Sequence, residues 1–132
     1  MILDTSAIIA ILRQESDAGE ISRVIEEAEF RRMSVASFVE AAIVIDAKGD
    51  PTASRKFDDL LRASMIELVP VDEEQARIAR DAYRDFGKGS GHPAQLNFGD
   101  CFAYALAKAS GEPLLYKGSD FSHTDVAPAL PR

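Results

Sequence analysis

Cysteine is nearly absent: Cys101 is the only one among 132 residues. A disulfide within the chain is therefore excluded, and no CxxC metal pattern can be drawn. Tryptophan is missing altogether. Long apolar runs are missing too, since none approaches the roughly 20 residues that a membrane helix needs. Met1 leads straight into Ile2-Leu3-Asp4, without the basic segment that opens a secretory leader. A cytoplasmic location is the expectation. Positive charge is in the minority, with 15 Lys and Arg against 22 Asp and Glu and a net charge of −7. That balance argues against a general nucleic-acid coat, which needs a basic face. It leaves room for an enzyme that meets a phosphodiester through metal ions, and it suits a basic partner segment. The two histidines, His92 and His123, have no helical i, i+4 spacing and no partner cysteines, so both read as loop residues. Gly87, Gly89 and Gly91 miss the phosphate-binding loop pattern, because no Gly-Lys-Ser/Thr follows a strand. They suggest a mobile loop over 87–93.

What is present is ordinary in bulk and ordered in detail. Hydrophobic residues make up 46% and charged residues 28%, a normal globular balance for one domain spanning residues 1–132. Met1–Leu3 reads as a short buried strand, with Thr5 or Ser6 capping a helix through Leu12. Asp17 and Glu20 match a capping box before the amphipathic series Ile21, Val24, Ile25, Ala28. A second strand is expected over Arg32–Val35, then a helix capped by Ser34 or Ser37 that stops near Gly49 and Pro51. Thr52–Met65 reads as a further helix and Ile66–Val71 as a third strand. Asp72 and Gln75 open a helix with Ala79, Ala82, Tyr83 and Phe86 on one face. Asn97 caps a helix whose Ala103, Leu106 and Ala107 step at i, i+3, i+4, with Phe102 beside them. Gly111 and Pro113 stop it, before a last strand over 113–116. Cys101, inside that helix, reads as a small core residue. Tyr83, Phe86 and Tyr104 read as core residues first and base-stacking residues second. Strands alternating with helices imply an α/β fold with a parallel sheet covered on both faces.

In such a sheet the C-terminal strand ends and the following helix starts share one edge, where ligands bind. Asp4 ends the first strand, Glu40 lies early in the helix after the second, Asp100 opens its helix and Asp120 follows the last strand. Four acids distant in sequence thus map to one rim. Each also has a plainer reading: Asp4 and Asp100 as helix caps, Glu40 as the partner of Ser37 in a capping box, Asp120 as a turn residue, with Asp125 competing for the fourth place. Two charges about 4 Å apart repel by about 4 kcal/mol at an effective dielectric near 20, so clustered acids need cations or protons. All-oxygen ligands suit Mg²⁺ or Mn²⁺. Metal-assisted phosphodiester hydrolysis follows.

The stretches Ile2-Leu3-Asp4-Thr5-Ser6-Ala7, Ser37-Phe38-Val39-Glu40-Ala41, Leu96-Asn97-Phe98-Gly99-Asp100-Cys101-Phe102-Ala103-Tyr104-Ala105 and Leu115-Tyr116-Lys117-Gly118-Ser119-Asp120-Phe121 resemble the successive signatures of PIN-domain ribonucleases, and among them the VapC-type toxins of toxin–antitoxin pairs. The resemblance covers essentially the whole chain. It implies a three-layer α/β/α sandwich with a central, mainly parallel sheet. It also implies a Mg²⁺- or Mn²⁺-dependent endoribonuclease acting on RNA, often tRNA, that leaves 5′-phosphate and 3′-hydroxyl ends. Asp4, Glu40 and Asp100 match the family's three core acids. Asp120 matches the fourth less closely, because Ser119 occupies a slot that is acidic in many relatives. Thr5 or Ser6 matches a residue that orients the first acid or a phosphate; Lys117, Lys88 and Arg13 are candidates for RNA backbone contacts. A homodimer and a VapB-type antitoxin with a basic side chain for the acidic pocket complete the expectation. Two rivals remain at this point. A haloacid-dehalogenase-like phosphohydrolase would want a second Asp where Ser6 stands. The other is a non-catalytic PIN-like module that binds RNA or protein.

Overall fold

Short apolar stretches alternating with amphipathic ones fold as strands alternating with helices in the computed structural model, which describes residues 1–131. The strands are β1 (Ile2–Leu3), β2 (Arg32–Ser34), β3 (Glu67–Val69) and β4 (Leu114–Leu115). The helices are α1 (Thr5–Leu12), α2 (Ala18–Glu27), α3 (Val35–Asp46), α4 (Pro51–Ala63), α5 (Glu73–Phe86) and α6 (Phe98–Ser110). A single 3₁₀ turn follows over Asp120–His123. Among the described residues no helix is long and apolar enough to cross a membrane.

Every strand pairing is parallel, in the order β3-β2-β1-β4. Alternation along each strand sends neighbouring side chains to opposite faces. Ile2 and Leu114 pack with α5 and α6 on one side, whereas Leu3, Met33 and Leu115 pack with α1 to α4 on the other. The expected three layers result. β4 lies at one edge, and the returning chain covers it through Leu114 N–H to Ala127 C=O and Ala129 N–H to Leu114 C=O, both 2.8 Å.

Strand order reverses between β1 and β4: the chain runs outward from β1 to β2 and β3, then crosses to β4 on the other side of β1. That reversal opens a crevice at the C-terminal strand ends. Helix capping sets what enters it. Asp4 itself caps α1, in place of the expected Thr5 or Ser6, since the extended backbone of β1 runs through Asp4 and the turn begins only after it. Ser34 caps α3, and Ser37 lies buried within that helix, so Glu40 is not engaged in a capping box with Ser37. Asp17 caps α2 without a side-chain bond, because its carboxylate stands 3.3 Å from Lys117 Nζ instead. The 87–93 segment, read from sequence as mobile, is pinned by Lys88 N–H to Leu96 C=O and Leu96 N–H to Phe86 C=O, both 2.9 Å.

Leu3 is fully buried on the α1–α4 side of the strand that ends at Asp4. We expect Leu3→Ala to cost about 3 kcal/mol, read as a lowered urea midpoint with an unchanged slope.

Candidate active site

The crevice is built on Asp4. Its N–H donates to Leu115 C=O at 2.9 Å, which fixes the residue between β1 and β4. Its Oδ2 accepts from the Ser6 N–H at 3.0 Å and the Ser6 hydroxyl at 2.6 Å. The Ser6 oxygen in turn accepts the Lys117 N–H at 3.0 Å. Thr5 Oγ1 donates to Ser37 C=O at 3.0 Å and ties the start of α1 to α3. One carboxylate oxygen is thus held from both strands, while Oδ1 is buried without a hydrogen-bond partner. Asp4 is only 3% exposed. Burial pushes its carboxyl up to about 7 against the two Ser6 bonds, and the charges of Asp100 and Glu40 add to the rise.

Asp100 is aimed by a complete capping box. Asn97 Oδ1 accepts the Asp100 N–H at 2.8 Å, and Asp100 Oδ2 accepts the Asn97 N–H at 3.0 Å. The plain capping reading is correct and does not compete with the functional one. Burial raises the Asp100 carboxyl above its ordinary range against the pull of the Asn97 bond; Asp120 and Glu40 raise it further, and Lys88 opposes them. Glu40 reaches the same place from α3, which packs against α6. Asp4, Glu40 and Asp100 line one open cleft of about 350 Å³, with Thr5, Ser6, Asn97 and Arg13 around them.

Asp120 is exposed on its 3₁₀ turn, outside the cleft lining, yet near enough for its charge to act on Asp100. Asp125 lies elsewhere. It accepts the Tyr104 hydroxyl at 2.6 Å and the Lys108 ammonium at 3.0 Å, and the Tyr104 bond holds its carboxyl below the usual range. Lys117 contributes its backbone, because its ammonium is taken by Glu15 at 3.0 Å and Asp17 at 3.3 Å. Arg13, exposed at the cleft wall, has its side chain facing solvent. Burial and the nearby Asp100 push the Cys101 thiol up to about 11, so it is a core group and no nucleophile. Tyr104 is buried as expected, but Tyr83 is 44% exposed. Among the described residues no three of these carboxylates close a coordination shell by themselves. The position two residues after Asp4, where a phosphohydrolase would need a second Asp, holds Ser6 with both donors committed to Asp4.

Comparison with known proteins agrees with this layout. The family model described as PIN domain matches residues 1–127. VapC ribonuclease Mb0625 of Mycobacterium bovis is 56% identical over 132 residues, covering 100% of this chain and 99% of that protein. Among solved structures, Mycobacterium tuberculosis VapC20, titled a sarcin-ricin loop cleaving toxin, superposes with a TM-score of 0.75 at 14% identity, over 96% of this chain and 95% of that one. A toxin–antitoxin complex from Klebsiella pneumoniae gives 0.68 at 14% identity, over 92% of this chain and 89% of that one. At such identity the structural matches speak for the fold.

The raised Asp4 and Asp100 carboxyls have a consequence for the metal-free protein. Both keep their protons in the folded state at pH values where the unfolded chain has lost them. Stability therefore falls as pH rises from about 4 through about 7. In chelator, thermal unfolding should show Asp4→Asn gaining on the unmodified protein between about pH 5 and about pH 8. A constant difference across that range would contradict the burial argument.

Proposed function

We propose, from the premise that this chain belongs to the PIN-domain family as a VapC ribonuclease, that its acidic cleft is the centre of a divalent-metal-dependent endoribonuclease, the toxin of a toxin–antitoxin pair. The observation that carries the metal reading is Asp4 Oδ1, a buried carboxylate oxygen without a partner, beside two further acids. Such an oxygen is costly unless a proton or a cation meets it. The donors are all oxygen, which fits Mg²⁺ or Mn²⁺. Mg²⁺ is commonly held through one or two carboxylates together with waters and substrate phosphate.

Asp4 and Asp100 would hold the ion, and Asp120 would complete its shell or serve a second one. When bound, the ion supplies charge neutralisation at the phosphate and a more acidic water. Glu40, which lines the same cleft, would orient the attacking water and accept its proton, while Ser6 keeps Asp4 from turning away. Water adds to phosphorus, the bond to the 3′ oxygen breaks, and that oxygen takes up a proton, leaving 5′-phosphate and 3′-hydroxyl ends. Arg13 at the cleft wall and Lys88 near Asp100 are the cations best placed for the RNA backbone. The substrate would be RNA, tRNA in particular, cut in the cytoplasm.

Partners follow the same logic. An acidic cleft suits a basic side chain from a VapB-type antitoxin. Val39 and Ile43, one turn apart on α3, are 51% and 63% exposed beside Glu40 and support a protein partner at the rim, whether antitoxin or the second copy of a homodimer.

Asp4→Asn and Asp100→Asn should each lower Mn²⁺-dependent RNA cleavage about a hundredfold or more, and Asp120→Asn about tenfold. Asp125→Asn should cleave at the unmodified rate. Full activity of either of the first two would overturn the assignment; sequencing of new 5′ ends after induced expression would identify the cut RNA.

A further inference from the structure

Gly99 is the second residue of α6, between Phe98 and Asp100. Intrinsic preference favours Ala over Gly within a helix. Its backbone gives no reason for glycine either, because Gly99 lacks the left-handed conformation seen at Gly111, with φ +67°. What the position requires is space. A Cβ built on Gly99 would stand 2.6 Å from Glu40 Cδ and 2.8 Å from Oε1, with Oε2 nearer still. The Glu40 carboxylate therefore lies flat against the bare first turn of α6, and any side chain at residue 99 would displace it. By contrast, a Cβ at Gly19, also helical, would meet nothing within 4 Å.

Two other features connect this contact to the cleft. Glu40 lines the same cleft as Asp4 and Asp100, so the carboxylate resting on Gly99 belongs to the site. The same turn carries the Asn97–Asp100 capping box. One turn thus orients Asp100 through its backbone and seats Glu40 through a missing side chain. We infer that Gly99 is a positioning residue, whose absent side chain seats the Glu40 carboxylate beside Asp4 and Asp100. The inference rests on the nuclease reading above.

The experiment compares Gly99→Ala, Glu40→Gln, the two combined, and Gly99→Ala with Glu40→Asp, using Asp4→Asn as a control. Three quantities are read: the thermal midpoint in chelator, Mn²⁺ binding by calorimetry, and Mn²⁺-dependent RNA cleavage. Gly99→Ala should keep or raise the metal-free midpoint, because Ala is the better helix former. It should nonetheless lose about tenfold or more in cleavage, with Mn²⁺ binding weakened about threefold or more. In the Glu40→Gln background the same change should cost no more than about a further twofold, since the residue it acts through is already disabled. Glu40→Asp, shorter by a methylene, should draw back from the added methyl and restore part of the activity lost in Gly99→Ala. Unchanged cleavage and Mn²⁺ affinity in Gly99→Ala would overturn the inference. So would a loss that adds fully to that of Glu40→Gln, or one accompanied by a lowered midpoint. An active Asp4→Asn control would instead bring down the reading of the acidic cleft as the nuclease centre, whatever Gly99→Ala does.

Discussion

A carboxylate that is almost wholly buried, with one oxygen bonded and the other left without a partner, governs this structure. Desolvating such a group is unfavourable, and only the surrounding fold keeps it in place. Ser6 grips one oxygen twice, Lys117 holds Ser6 through its backbone, and β1 and β4 pair on either side of the crevice. Asp4 shares its cleft with two more acids, brought by α3 and α6. The fold brings one buried carboxylate and two partly exposed ones into one open cleft, which is the electrostatic condition for taking up a divalent cation.

Capping and the candidate site coincide here. Asp4 and Asp100 are both helix caps, and the bonds that satisfy the helix starts also fix the side chains. A cap is among the most rigid ways to hold a carboxylate, because its partner is backbone. Fixed carboxylates are what a coordination site needs if reorganisation is to be small. Glu40 is held by a different device, fit against a helix that lacks a side chain at one position.

Helix spacing made the six helices legible in the sequence, with strand ends off by at most two residues. The rim of acids was legible through topology, since a parallel sheet aligns strand ends on one edge whatever the register. The details that failed depend on long-range contacts. Asp17 matches a capping box in sequence, but Lys117 draws it away from the helix start. Asp125 rivals Asp120 on paper, and only the packed Tyr104 and Lys108 show it to be engaged elsewhere. Lys117 looked like a phosphate contact until Glu15 and Asp17 were seen to hold it. Gly99 was overlooked, although a glycine beside a capping acid, in a turn that prefers Ala, was a signal already present in the chain.

The pairing of β1 with β4 joins Leu3 to Leu115 and brings Ser6 under the backbone of Lys117. These partners stand at opposite ends of the order in which a ribosome releases the polypeptide. A nascent chain that has emitted Asp4, Glu40 and even Asp100 still lacks the strand that shapes their crevice. The crevice is in this way completed only once the chain has been made as far as Leu115, long after Asp4.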